Sequence, residues 1–181
     1  ARLIKEIEPE VFIFENVPGM ISHDNGKTWK TIQEVFKSLN YTIKSDLLNA
    51  IDYGIPQKRK RLFVVGFRDP FYNFNFPKKK ELKTTLFDYL ESEVNPKHYL
   101  GKKGFEFVTD TGDKIRGRAQ VSQKITRTQV ANQQFNWIGD FVFEEFDEDK
   151  HNNQILKRAF IGRYNGKQGV IRLITYRDCL R

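Results

Sequence analysis

The chain has 181 residues, Lys+Arg 31 against Asp+Glu 23, and 39% hydrophobic residues beside 12 glycines. That is one domain or one and a half, and the apolar share excludes a disordered, collagenous or coiled-coil protein. No apolar run nears the ~20 residues that cross a bilayer, and the single cysteine, Cys179, rules out a disulfide framework within the chain and fits a reducing cytosol.

Leu3, Ile4 and Ile7 recur at helical spacing with no cap or turn residue before them, which reads as the last turns of a helix. Val11-Phe12-Ile13-Phe14 is a continuous apolar run and predicts a strand buried on both faces of a parallel sheet, ended by the turn Pro18-Gly19. After Asp24-Asn25-Gly26, a helix is predicted from Trp29, Ile32, Val35, Phe36 and Leu39, which fall at three- and four-residue steps. Tyr41, Ile43, Ser45 and Leu47 alternate as a strand, and Leu62 to Phe67 reads as another buried strand. Strand, helix, strand, strand is α/β in character.

From Pro70 the pattern changes. Phe71 to Lys80 mixes aromatics with Pro77 and a lysine triplet and reads as a linker, and Leu82 to Leu90 as one short helix. Phe105-Glu106-Phe107-Val108 and Phe141-Val142-Phe143 read as short strands of a second, irregular, β-rich unit. Thr175 to Asp178 has the form of a capping box with three residues after it. Together with the uncapped opening helix, this predicts a fragment, or a subunit completed by another chain.

The charge is uneven. Residues 1–70 carry 11 basic and 9 acidic side chains, and residues 71–181 carry 20 and 14. Lys97 to Arg127 holds eight basic and three acidic residues, whereas Asp140 to Asp149 holds six acids and no base. A basic surface beside a separate acidic one suggests a polyanion met from one side.

Three motifs could carry chemistry. Glu15-Asn16-Val17 follows the first apolar strand, and ligands of open α/β sheets bind beyond the carboxyl ends of strands. An acid there can exchange a proton with a bound substrate, and a Glu-Asn pair that merely caps the turn is the alternative. Gln57-Lys58-Arg59-Lys60-Arg61 precedes the strand from Leu62. In extended backbone Arg59 and Arg61 point the same way, and arginines can clamp a phosphate or a base edge. The third is Arg172-Leu173-Ile174-Thr175-Tyr176-Arg177-Asp178.

In this order the three resemble the DNA (cytosine-5)-methyltransferase family of bacterial restriction-modification systems, with its Glu-Asn-Val, its Gln-x-Arg-x-Arg and its later Arg-x-Leu-Thr-x-Arg-Glu. Ile174 replaces the usual Leu of the last motif and Asp178 the usual Glu. The resemblance implies part of a Rossmann-like S-adenosylmethionine-dependent methyltransferase sheet over residues 1–69. It further implies a β-rich target-recognition domain over 70–169 and a return to the catalytic domain over 170–181. It implies double-stranded DNA as partner, a cytosine flipped out of the duplex, methylation at ring carbon 5 from S-adenosylmethionine, and a bacterial cytoplasmic, nucleoid-associated protein.

By the same resemblance Glu15 acts on ring nitrogen 3, Asn16 shapes its loop, Arg61 holds the cytosine carbonyl oxygen, and Arg59 braces the catalytic loop. Gln57, Lys58, Arg116, Arg118, Lys124 and Arg127 are the candidate DNA contacts, the last four interleaved with Gln120, Ser122, Gln123 and Thr126. The family's Pro-Cys nucleophile and a GxGxxG cofactor loop do not occur in the 181 residues. Cys179, beside the late motif, is expected to be a small packed residue. The chain alone is therefore expected to transfer no methyl groups.

His23, His98 and His151 lack metal spacing and are expected at turns or on the surface. Two other readings remain: a DNA-binding subunit that contributes Glu15 to a complementary catalytic chain, and a DNA-binding module without catalysis. The intact Glu-Asn-Val and Gln-x-Arg-x-Arg argue against the latter. A transfer-RNA substrate also lies within the wider family, and the long basic region favours duplex DNA.

Overall fold

The structure, a computed structural model, describes residues 1–110, 112, 118–129 and 137–179. They form two compact units, Ala1–Ile55 with Arg59–Leu82, and Pro56–Lys58 with Lys83–Arg181. Among the described residues no helix is long and apolar enough to cross a membrane.

In the first unit, helix α1 (Arg2–Ile7) precedes strand β1 (Val11–Asn16). One turn of helix, α2 (Gly19–Ser22), and the left-handed pair Asp24 and Asn25 lead into α3 (Lys27–Ser38). Strand β2 (Thr42–Asn49) follows, and then, beyond the short β3 (Gln57–Lys58) of the second unit, β4 (Lys60–Phe67). The sheet order is β1-β4-β2, antiparallel throughout, with Glu15 opposite Phe63 and Leu48 opposite Arg61.

The three-to-four spacing of α3 works as expected: Phe36 is buried against Phe12 (ring centroids 4.7 Å apart) and Phe14 (5.9 Å), with Tyr41, Leu62 and Val64 completing the core. Gly66 lies opposite Phe12, and a Cβ there would fall 2.1 Å from the Phe12 ring, so only glycine fits.

Two expectations change here. The apolar run of β1 is buried on one face only: Ile13 is 71% exposed, because α3 covers the Phe12 and Phe14 side and the sheet partner is antiparallel β4. The supposed linker is also packed. Tyr72 stacks on Phe67 at 4.8 Å, Phe74 lies 5.4 Å from the same ring, and Lys44 Nζ donates to the Phe74 carbonyl. Tyr72 and Phe74 thus strap the sheet while Phe71 stays exposed, a packing that Pro77 and the lysines hide in the sequence.

The second unit holds α4 (Lys102–Thr109), β5 (Ala119–Val121), β6 (Thr126–Arg127), β7 (Gly139–Glu145), α5 (Asn153–Leu156), β8 (Gly162–Tyr164) and β9 (Lys167–Leu173). Its four-stranded sheet runs β5-β7-β9-β8, with β5 parallel to β7 and the other pairs antiparallel. β3 and β6 form a separate parallel pair. The β8–β9 turn uses Asn165 and Gly166 at φ 49° and 80°, the left-handed pair that a tight hairpin favours.

Leu100, Phe105, Val108, Val121, Phe141 and Ile171 form the main core. Phe105 to Val108 is therefore helix, not strand. Phe105 and Val108, three apart, share one buried helical face, Glu106 is exposed, and Phe107 packs on Trp137 at 5.3 Å. Four alternating residues were too few to tell the two periods apart. Within 82–90, only Leu86–Tyr89 is helical, a 3-10 turn closed by a capping box between Thr85 and Asp88. The 69/70 boundary expected from sequence falls inside the first unit, and residues 170–173 continue β9 within the second.

Candidate active site

Antiparallel pairing brings the end of β1, the start of β4 and the end of β2 to one end of the first sheet. Glu15 and Phe63 are cross-strand partners, and Arg61 stands two residues from Phe63 on the same face. The result is an ion pair, Arg61 Nε to Glu15 Oε1 at 2.9 Å, with the side chains 17% and 44% exposed. Arg61 Nη1 also donates to the Lys60 carbonyl at 2.8 Å, which fixes the guanidinium plane. Asn16 turns back on its own chain, its Oδ1 accepting from Val17 N at 2.8 Å. Arg59 is half-buried and, among the described residues, has no carboxylate within ion-pair distance. The end of this sheet thus offers one acid and one cation touching each other and a second cation with its donors uncommitted.

The other candidates fall in the second unit. Gln57 and Lys58 pair with Thr126 and Arg127, and Thr128 Oγ1 donates to the Lys58 carbonyl at 2.9 Å. Lys58, Arg118 and Lys124 are exposed. Arg127 is committed within the fold: Asp140, 1% exposed, accepts from its backbone N at 2.7 Å and from its Nε at 3.2 Å, while its Nη2 donates to the Arg118 carbonyl at 3.1 Å. Ser122 is committed as well, its Oγ accepting from Phe143 N at 2.9 Å. Arg116 and Lys114 lie outside the described residues.

A second ionic cluster was not foreseen. Arg172 is fully buried, its Nε donating to Glu144 Oε1 at 2.8 Å and its Nη1 to Asp178 Oδ2 at 2.8 Å. Glu144 Oε2 also accepts from the Tyr99 hydroxyl at 3.0 Å, and His151 Nε2 lies 3.1 Å away. Asp178 closes the expected capping box: Thr175 N donates to Asp178 Oδ2 at 2.8 Å, and Asp178 N donates to Thr175 Oγ1 at 3.1 Å.

Burial by itself would raise both carboxyl pKa values. The Arg172 guanidinium outweighs it, helped by His151 and Lys150 at Glu144 and by backbone N–H groups at Asp178, and holds both below their ordinary values. Burial, then the Glu144 charge, pushes the Tyr99 hydroxyl up.

His151 is thus a buried hydrogen-bonded residue and not a surface one. It is 1% exposed, stacked on Phe146 and bonded to the Asp147 backbone. Cys179 is exposed rather than packed, and partial desolvation together with Asp178 raises its thiol pKa, which opposes a nucleophilic role. One signal for this cluster was legible: Arg172 stands alone among Val170, Ile171 and Leu173, and a charge inside an apolar strand needs a buried partner.

The family described as C-5 cytosine-specific DNA methylase has a sequence profile that matches residues 1–181. The chain belongs to this family. Among curated methylases, it is 35% identical over 130 residues to the Type II methyltransferase M.HhaI of Haemophilus parahaemolyticus, covering 71% of this chain and 37% of the relative. It is 46% identical over 127 residues to the Type II methyltransferase M.Bsp6I of Bacillus sp. (strain RFL6), covering 67% and 40%. The chain spans well under half the length of these relatives.

Two solved structures are similar in fold. The S. pombe Dnmt2 methyltransferase matches with a TM-score of 0.64 at 14% identity, over 94% of this chain and 51% of that one. The Entamoeba histolytica methyltransferase EhMeth matches with 0.62 at 18%, over 94% and 49%. At such identities the likeness establishes the methyltransferase fold alone. The Glu15–Arg61 pair and the Arg172 cluster both organise charged side chains with short, directional bonds, the first partly exposed and the second buried.

Proposed function

We propose that this chain carries the base-binding end and the target-recognition region of a DNA (cytosine-5)-methyltransferase that acts on duplex DNA, flips out a cytosine and methylates its ring carbon 5. The observation that carries this reading is the 2.9 Å Glu15–Arg61 pair at the strand end, formed by the two residues that family resemblance assigns to cytosine. The two side chains are adjacent and partly exposed, so a flat base edge presenting a ring nitrogen and a carbonyl oxygen can lie across both. Glu15 then shares a proton with ring nitrogen 3, and Arg61 donates to the carbonyl oxygen. Both interactions grow as negative charge develops on the ring, which is the condition for lowering a barrier. Asn16 holds the turn behind Glu15, and Arg59 has donors available for a phosphate.

Residues 70–169 are assigned to target recognition, with Gln57, Lys58, Arg118 and Lys124 as exposed or half-exposed DNA contacts. Arg116 stays in the proposal on sequence alone. Arg127 shares its charge with buried Asp140, which favours a role in shaping the β3–β6 pair over a phosphate contact. The whole protein is placed in the bacterial cytoplasm, on the nucleoid, within a restriction-modification system.

The family's glycine-rich cofactor loop does not occur in the 181 residues. S-adenosylmethionine therefore belongs to the proposal for the whole protein.

The test is binding of this chain to duplexes that carry one unpaired cytosine or, at the same place, one unpaired thymine. A preference for cytosine of about tenfold is expected, the equivalent of one charge-assisted hydrogen bond of roughly 1.5 kcal/mol. Equal affinity for the two duplexes contradicts the assignment. The chain by itself is also expected to place no tritium from labelled S-adenosylmethionine into DNA.

A further inference from the structure

The lysine triplet Lys78-Lys79-Lys80 lies in the first unit, whereas Gln57, Lys58, Arg118 and Lys124 lie in the second. Its backbone is fixed. Lys80 N donates to the Asp52 carbonyl at 2.7 Å, Lys80 bridges Tyr53 in parallel register, and the Tyr53 hydroxyl donates to the Pro77 carbonyl at 3.4 Å. The aromatic strap before it anchors the same segment on β4 through Tyr72 and Phe74.

The place where it is fixed matters. Asp52 and Tyr53 follow directly on the end of β2, where Asn49 pairs with Lys60, and the Ala50 N–H donates to the Arg59 carbonyl at 3.1 Å. The triplet is therefore tied to the same end of the first sheet as Glu15, Arg59 and Arg61.

The charges there do not cancel. Glu15 is paired with Arg61, and Asp52 with Lys79 at 2.9 Å. Lys78, Lys80, Lys60 and Arg59 have, among the described residues, no carboxylate within ion-pair distance, although Glu81 is the next residue and exposed. The three lysines at these positions are exposed. Cations gathered at one sheet edge create a local positive potential that attracts a polyanion. A loose lysine tail would lose more entropy on binding than a tract whose backbone is already fixed.

We infer that Lys78 and Lys80, with Lys60, form a second DNA-backbone contact, carried by the first unit, in addition to the contacts proposed on the second unit, and blind to sequence. It rests on the duplex-DNA reading above. Lysine suits this role, being a point charge for phosphate without the fork that reads base edges.

The experiment is the salt dependence of binding to mixed-sequence duplex DNA, comparing the wild-type chain with the double variant Lys78→Gln, Lys80→Gln. Each phosphate contact contributes about 0.9 to the slope of log K against log salt, so the double variant should lose about 1.8. The charge-keeping pair Lys78→Arg, Lys80→Arg should retain the wild-type slope, which separates charge from packing. Lys79→Gln should lower the slope less, because Asp52 already neutralises Lys79. An unchanged slope in the glutamine variant, with the wild type binding duplex, overturns this inference alone. A wild type that binds no duplex overturns the DNA reading and this inference with it. A slope change confined to folded RNA assigns the surface another partner and also overturns it.

Discussion

The two units contain the same chemical pair at nearly the same length, Arg61 Nε to Glu15 Oε1 at 2.9 Å and Arg172 Nε to Glu144 Oε1 at 2.8 Å, yet in different surroundings. The first has side chains 17% and 44% exposed, a single ionic contact, and one more bond to a neighbouring carbonyl. The second is sealed, with Asp178, His151, Tyr99 and Thr175 each adding a bond around Arg172 and Glu144. A half-exposed pair gains little from its own attraction, and its groups can be taken over by a ligand. A buried one cannot be opened without stranding a charge. Solvent access, more than residue identity or bond length, separates a pair fit to bind a base from a pair that holds a fold together.

The largest expected effect is on the sealed pair. Arg172→Met leaves Glu144 and Asp178 buried without their cation and should destabilise the second unit by roughly 3–5 kcal/mol, read from the shift of its urea midpoint. A loss below about 1 kcal/mol would mean that the cluster contributes no more than a surface pair.

A smaller effect should come from acid. Glu144 and Asp178 have native pKa values below their ordinary 4.5 and 3.8. Their contribution to stability is therefore complete above those values and declines as the pH falls below them toward the lowered native pKa values. A denaturation series from neutral pH down past pH 4 should show this decline in the wild type and a weaker one in Glu144→Gln. A wild-type curve flat across that range would separate the cluster from acid stability.

The smallest effect on stability belongs to the open pair. Arg61→Ala should cost no more than about 1 kcal/mol in urea unfolding, since exposed ion pairs contribute that much or less. A larger loss would place Arg61 with the structural residues and erase the contrast with Arg172.

The sequence patterns that could be read correctly were those with several periods behind them. The helix from Lys27 to Ser38 and the strands ending at Asn49 and Phe67 follow directly from spacing and apolar runs. Phe105 to Val108 was misread because four residues fit both periods, and burial of Phe105 with Val108 decided for helix. Ile13 was misread because an apolar run shows affinity for burial without showing which faces are covered.

At the candidate site, the motifs located Glu15 and Arg61, but their shared face and their ion pair depend on β1–β4 register, which only the fold supplies. His151 gave no warning at all, since its partner Glu144 is seven residues away on a strand. The basic run to Arg127 looked uniform, and a buried acid, Asp140, withdraws one of its members from the surface charge.

The central claim is that Glu15 and Arg61 form one cytosine-binding unit, and a double-mutant cycle on the preference for an unpaired cytosine over thymine tests it most directly. The account predicts that Glu15→Ala abolishes the roughly tenfold preference, that Arg61→Ala weakens binding to both duplexes because thymine carries the same carbonyl oxygen, and that the double variant loses less than the sum of the two. Retention of the preference in Glu15→Ala, or unchanged affinity in Arg61→Ala, with both proteins folded, would contradict it.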